Sequence, residues 1–320
     1  MPYQPESGEV QIEPQTNPRI QSTTMYVLVN NQYLINHHYY TRFMADETEI
    51  WLFGCGLGEQ AIVDGLGEAF LRYCEVEDPR LGRIMLSIGV NATSFFPYKG
   101  DINLWWAFGD HQRIVEDHFE RTTVKPDLLL CASRVIQQIV KSHNLPSLYL
   151  PFGSGDKFKP LNLPRRGLGY AGNPLKPSEQ YAIMIDPFKD RPDFEWCSKH
   201  RDDPYLTLEQ LNEWYNRKQI VFGMIGGHCI TLHLIPNRMY ETLASGTPFI
   251  TGRYDLEDTF SFSYPYMTDS REETVCLVDD ILLDYPKHLA VFAEFSRNVR
   301  ENHSLDVRVK TLMEHLKQWK

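Results

Sequence analysis

The residues best suited to chemistry in this chain of 320 lie close together in IPNRMYETLASGTPFITGR, Ile235 to Arg253. Asn237 can cap a helix, after which Met239, Tyr240, Leu243 and Ala244 form one apolar stripe. Arg238, Glu241 and Ser245 then share the opposite, exposed face. Gly246 ends the helix as a left-handed cap does, and Pro248 opens a strand. A cation and a carboxylate are thus presented on a short helix whose N-terminus faces the carboxyl end of the preceding strand. Open α/β sheets bind ligands at that place, and a helix N-terminus favours a phosphate. By type and spacing alone, an Arg and a Glu three residues apart also describe an ordinary solvated face.

Other residues admit two readings. In WWAFGDHQ, Trp105 to Gln112, Asp110 and His111 follow a strand, where either can act as general base on a hydroxyl. They can equally be a helix-capping Asp beside a surface His. His228 and His233 in GMIGGHCITLH either touch a ligand or are solvated loop residues. The pair His37 and His38 has no third ligand spaced to join it, so it reads as surface rather than metal site. In FGCGLGEQ the glycines 54, 56 and 58 are spaced G-x-G-x-G and follow the second strand rather than the first. They read as a tight turn lining a cleft, not a dinucleotide fingerprint.

These segments are positioned by short apolar strands alternating with helical patterns. The first series is MYVLVN (25–30), EIWLFG (49–54), RIMLSIG (83–89), INLWWAF (102–108), DLLLCAS (127–133) and SLYLPFG (147–153). The second is GLGYAGN (167–173), DFEWCS (193–198), QIVFGMI (219–225), PFITG (248–252) and TVCLV (274–278). Continuous apolar strands between helices imply parallel sheets covered on both faces, hence two doubly wound α/β domains facing each other. GDKFKPLNLPRR, Gly155 to Arg166, reads as the linker between them. Four segments are expected: a disordered tail over 1–23, a Rossmann-like domain over 24–154, a second over 155–300, and a closing helix over 301–320 that can cross back to the first domain.

The pattern N-R-x-x-E-x-L-A-S-G-T-P followed by a strand resembles the donor-binding signature of GT-B glycosyltransferases, in particular the CgeB-like group of glycosyl transferases family 1. GYAGN resembles the first strand and glycine turn of that family's C-terminal domain. LNEWYNRKQIVFGM resembles the helix and strand before the signature, and TVCLVDDILLDYPKHLAVFAEFSRNVRENHSLDVRVKTLMEHL its closing helices. The match runs in order through about the last half of the chain. It implies a GT-B fold and transfer of a sugar from a nucleotide-diphosphate sugar to an acceptor hydroxyl. It further implies that Glu241 hydrogen-bonds the donor ribose, that Arg238 and Asn237 stand at the donor phosphates, and that Gly172 and Asn173 form the turn where backbone approaches the donor. Ser245 and His233 join the donor-binding set, and Asp110 and His111 the catalytic one. His233 stands where retaining relatives often carry a second carboxylate, so the stereochemical outcome is open. Related readings are an epimerase, a phosphorylase, or a silent protein that binds a nucleotide sugar without turnover.

No D-x-D triplet occurs, which disfavours the metal-dependent type of glycosyltransferase; neither metal nor cofactor is expected beyond the sugar-nucleotide co-substrate. With 32 basic and 42 acidic residues the net charge is −10, so the average surface repels polyanions and anionic membranes. The acceptor class stays open among glycan, protein, lipid, small molecule and modified nucleic acid. Six scattered cysteines read as reduced thiols, and the polar N-terminus and lack of a long apolar stretch lead to the expectation of a cytoplasmic protein with no integral membrane segment.

Overall fold

The computed structural model describes residues 20–31, 34–45, 47–55, 60–77, 79–89, 99–108, 125–172, 179–197, 206–225, 227–253, 255–256 and 259–319. The chain divides into two compact units, one of Met1–Pro151 with Arg308–Lys320, the other of Phe152–Val307.

The first unit runs β1 (Ile20–Asn31), β2 (Leu34–Ala45), β3 (Thr48–Cys55), α1 (Gln60–Val76), β4 (Gly82–Gly89), β5 (Ile102–Ala107), β6 (Leu128–Cys131), α2 (Arg134–Ser142) and β7 (Ser147–Tyr149). Its seven strands lie in chain order. The five from β3 to β7 are parallel, as expected for runs such as IMLSI and NLWWA. Buried on both faces, such strands have no polar alternation: Leu86, Leu104, Trp105, Trp106, Leu129 and Leu130 are wholly buried. Trp106 satisfies its indole by donating to the Leu150 carbonyl at 2.7 Å.

Two expectations for this half are corrected. The tail expected over 1–23 is contradicted for Ile20 to Thr23, because β1 begins at Ile20 and pairs antiparallel with β2 in register from Ile20↔Ala45 to Asn31↔Leu34; residues 1–19 lie outside the described residues. Ladder bonding along twelve residues outweighs the weak apolar pattern of IQSTT, and β2, which carries His37 and His38, is a strand that no apolar run announces. The first sheet also lacks a reversal of strand order among its described strands. A reversal of strand order, the mark of a doubly wound arrangement, is therefore found only in the second sheet.

The second unit continues with β8 (Leu168–Ala171), α3 (Glu179–Met184), β9 (Phe194–Cys197), α4 (Leu208–Arg217), β10 (Ile220–Gly223), α5 (Gly227–Thr231), α6 (Asn237–Ala244), β11 (Phe249–Gly252), β12 (Met267–Thr268), α7 (Arg271–Leu283), α8 (Tyr285–Asn302) and α9 (Leu305–Lys317), the last ending among the residues grouped with the first unit. All of its strand pairs are parallel and the order is β12-β11-β10-β8-β9. Read from the other edge this is 2-1-3-4-5, a doubly wound order with its switch point between β8 and β10. TVCLV is not a strand: it lies within α7, where Thr274, Val278 and Ile281 are buried at helical spacing and Ser270 caps the start by accepting from the Glu273 amide at 3.1 Å. The edge strand is the short β12 instead.

The segment read as a linker is fastened to the second unit. The Asn212 side-chain oxygen accepts from the Lys159 amide at 3.1 Å, and that of Asn216 from the Leu161 amide at 2.7 Å. Arg165 reaches the Thr247 hydroxyl at 2.6 Å and the Ser245 carbonyl at 3.3 Å. All of Gly155 to Arg166 is grouped with the second unit, where two buried asparagines one turn apart on α4 pin it. In the first unit Lys317 donates to Glu77 at 2.9 Å. Among the described residues no helix is long and apolar enough to cross a membrane.

Candidate functional site

The switch point makes a crevice because the connections leave β8 and β10 in opposite directions over the sheet. Alternation along β8 sends neighbouring residues to opposite faces. A Cβ on Gly169 would sit 2.7 Å from the Trp214 ring of α4, whereas the Tyr170 ring packs edge-on against Trp196 of β9 at 5.8 Å. Trp196 in turn stacks with Tyr181 of α3 at 6.2 Å. Helix α6 belongs to the α4 face, yet its second residue, Arg238, holds its guanidinium 5.0 Å from the centre of the Tyr170 ring. Arg238 therefore crosses the carboxyl end of β8.

Gly172 is what it crosses. A Cβ there would lie 2.6 Å from Arg238 Nη2 and 2.6 Å from the Tyr170 hydroxyl, at a φ of +157°. Only a glycine leaves room for the guanidinium to lie on the backbone. Burial works to lower the Arg238 pKa, but Tyr170, Tyr215 and Glu241 outweigh it and the net shift is upward. The crevice thus holds a permanent cation.

Glu241 does not stand on an exposed face; it is 5% exposed. Every residue of α6 from Met239 to Ala244 is buried. The helical wheel separates polar from apolar residues correctly, but α4 covers the polar side. Tyr215 of α4 donates its hydroxyl to Glu241 Oε2 at 3.2 Å, and Asn237 Nδ2 donates to Oε1. Burial pushes the Glu241 carboxyl from 4.5 up to about 7, against the opposing pull of Tyr215, Arg238 and Asn237. The Tyr215 hydroxyl is held well above its ordinary value, by burial first and then by Glu241.

Asn237 is not the cap. Pro236 holds that position with no side-chain hydrogen bond, and Asn237 opens the helix with its amide turned one turn forward to Glu241. A carboxylate can only accept, so the Asn237 nitrogen must face it, and Oδ1 is left buried with no partner among the described residues. Ser245 lies at the far end of α6, wholly buried, with its hydroxyl donating to Asn212 Oδ1 at 2.7 Å. It braces α6 on α4 and is not grouped with Arg238. His233 adopts a left-handed φ of 51° between α5 and α6, half-exposed, with Nδ1 3.8 Å from Asp255 Oδ2.

The structure therefore brings together Arg238, Glu241, Asn237 and Gly172. Asn173, Asp110 and His111 lie outside the described residues. Sequence reasoning missed Tyr170, Tyr215 and Gln180, the last of which accepts the Ile225 amide at 2.6 Å across the end of β10. Tyr215 carried a signal: in LNEWYNR it falls three residues after Asn212 on one side of α4. Compared with protein-family models and with curated proteins, the chain matches none of them.

Proposed function

We propose that the second unit binds a nucleotide-diphosphate sugar at the carboxyl ends of β8 and β10, and that the protein is a glycosyltransferase. The observation that carries this reading is the Arg238 guanidinium laid over Gly172 at the point where strand order reverses. A fixed cation there offsets the charge that builds on a departing diphosphate. The second support is chemical: Glu241 keeps lone pairs beyond those used by Tyr215 and Asn237, and Asn237 Oδ1 is an acceptor without a donor. Two adjacent acceptors suit a pair of hydroxyl donors such as a ribose diol.

In the transfer, the bond between the sugar's anomeric carbon and the diphosphate oxygen breaks, and the electron pair leaves with the diphosphate toward Arg238. The acceptor oxygen bonds to the anomeric carbon, and its proton passes to a base, for which Asp110 and His111 are the candidates. Arg238 supplies the charge that a metal ion supplies elsewhere.

The test is calorimetric titration of the protein with uridine, guanosine and adenosine diphosphates, followed by assay of nucleoside diphosphate release from the matching sugar nucleotide. Arg238→Ala should weaken binding by about 2 kcal/mol, the worth of a charge-assisted hydrogen bond. Absence of binding to all three sinks the site, and binding without any release leaves a nucleotide-binding module and sinks the transfer.

A further inference from the structure

Gln180 is a second place where a side chain lies over a glycine at the carboxyl end of the same sheet. A Cβ on Gly252, the last residue of β11, would sit 2.2 Å from Gln180 Nε2. The other end of the amide is fixed, because Oε1 accepts the Ile225 backbone N–H at 2.6 Å just past β10. Only the oxygen can accept from an N–H, so this bond decides which way the amide faces. The NH2 group is directed to the end of β11, and among the described residues it has no hydrogen-bond partner. Gln180 is half-buried, so the group is neither sealed in the core nor loose in solvent.

Gln180 comes from α3 and reaches the ends of β10 and β11, while Arg238 comes from α6 and reaches the end of β8. Adjacent strands lie about 4.8 Å apart, so the two donor groups are separated by roughly one to two strand spacings. One extended ligand carrying several phosphoryl oxygens spans that distance. We infer that Gln180 is a ligand-binding residue of the site proposed above, its Nε2 donating to a diphosphate oxygen that Arg238 does not reach. Its fixed amide makes it a specificity element as well: it rejects any group that can only donate at that position. This rests on the nucleotide-sugar reading of the second unit.

The discriminating substitution is Gln180→Glu. A carboxylate retains the acceptor for the Ile225 N–H, so the local fold stays, but it replaces the donor with a second acceptor. Gln180→Ala removes both functions and serves as the second variant. Uridine, guanosine and adenosine diphosphates are titrated into the full-length protein and both variants, with thermal denaturation run alongside. Binding should fall in the order unmodified protein, Gln180→Ala, Gln180→Glu, with the last weaker by about tenfold or more, as the loss of a charge-assisted bond and a new repulsion require. The Gln180→Glu protein should melt with the unmodified one. Equal affinity of both variants and the unmodified protein overturns the assignment of Gln180 while leaving the site itself standing. Tighter binding by Gln180→Glu also overturns it, because the ligand then presents hydroxyl donors there. If the unmodified protein binds none of the three diphosphates, the underlying site fails and this assignment with it.

Discussion

Replacing Glu241 with glutamine should change how the second unit responds to pH, and the size of the change follows from the burial of one carboxyl group. Burial raises the Glu241 pKa from 4.5 to about 7, with Tyr215, Arg238 and Asn237 opposing the rise. Between those two values the folded protein holds a proton that the unfolded chain releases. Stability from this group is therefore fully present below 4.5 and is lost as pH rises through about 7. Holding that proton is worth about 1.4 kcal/mol for every tenfold difference in proton affinity between the folded and unfolded chain, which makes the full swing about 3 kcal/mol. Glutamine has no proton to lose, and its side-chain oxygen still accepts from Tyr215 or Asn237. The difference in stability between Glu241→Gln and the unmodified protein should grow in favour of glutamine from about pH 5 to about pH 8, by an amount approaching 3 kcal/mol. All other titrating groups cancel in that difference. Hydrogen exchange at the amides of α6 and β10 reads the opening free energy of this unit separately from the other. A difference that stays flat across the range would show that the Glu241 carboxyl titrates near its ordinary value, and the buried contact with α4 would then be wrong.

Three further outcomes follow from the same geometry and from the proposed reaction. Gly172→Ala would place a methyl group 2.6 Å from Arg238 Nη2 and from the Tyr170 hydroxyl; because both are the far ends of side chains, the fold should survive while nucleoside diphosphate affinity drops about tenfold or more, and unchanged affinity by calorimetry would refute the seating of Arg238. Asp110→Asn and His111→Ala should lower turnover while leaving nucleotide affinity nearly intact, as steady-state kinetics beside equilibrium titration will show; a matching loss of affinity would move those residues out of the acceptor side. Sugar-nucleotide turnover should persist in chelator, with Arg238 as the cation at the diphosphate, and turnover that vanishes in chelator and returns with manganese would refute the metal-free transfer.

The sequence determined by itself those elements whose cause is local. Strands β8, β10 and β11 were legible because a strand buried on both faces must be a short continuous apolar run, as LGYA, IVFG and FITG are. The end of α6 was legible because Gly246 takes a φ of +66°, which a residue with a side chain adopts only at a cost. Arg238 and Glu241 could be picked out as candidates by type and spacing, whereas Gly172 and the donor-side role of Asn237 came only through the family resemblance. Tertiary structure alone decided which face of α6 is covered: a hydrophobic period separates Glu241 from Met239 and Leu243, but says nothing of α4 arriving with Tyr215 and Asn212 to bury the polar side as well. It also decided that TVCLV joins α7, since a β-branched run takes whichever form packs its buried residues, here at helical spacing. The order 2-1-3-4-5, and with it the crevice that Arg238 crosses, depends on pairing between strands about fifty residues apart. No window of sequence holds that pairing, because it is selected by the burial of whole faces rather than by any residue's own preference.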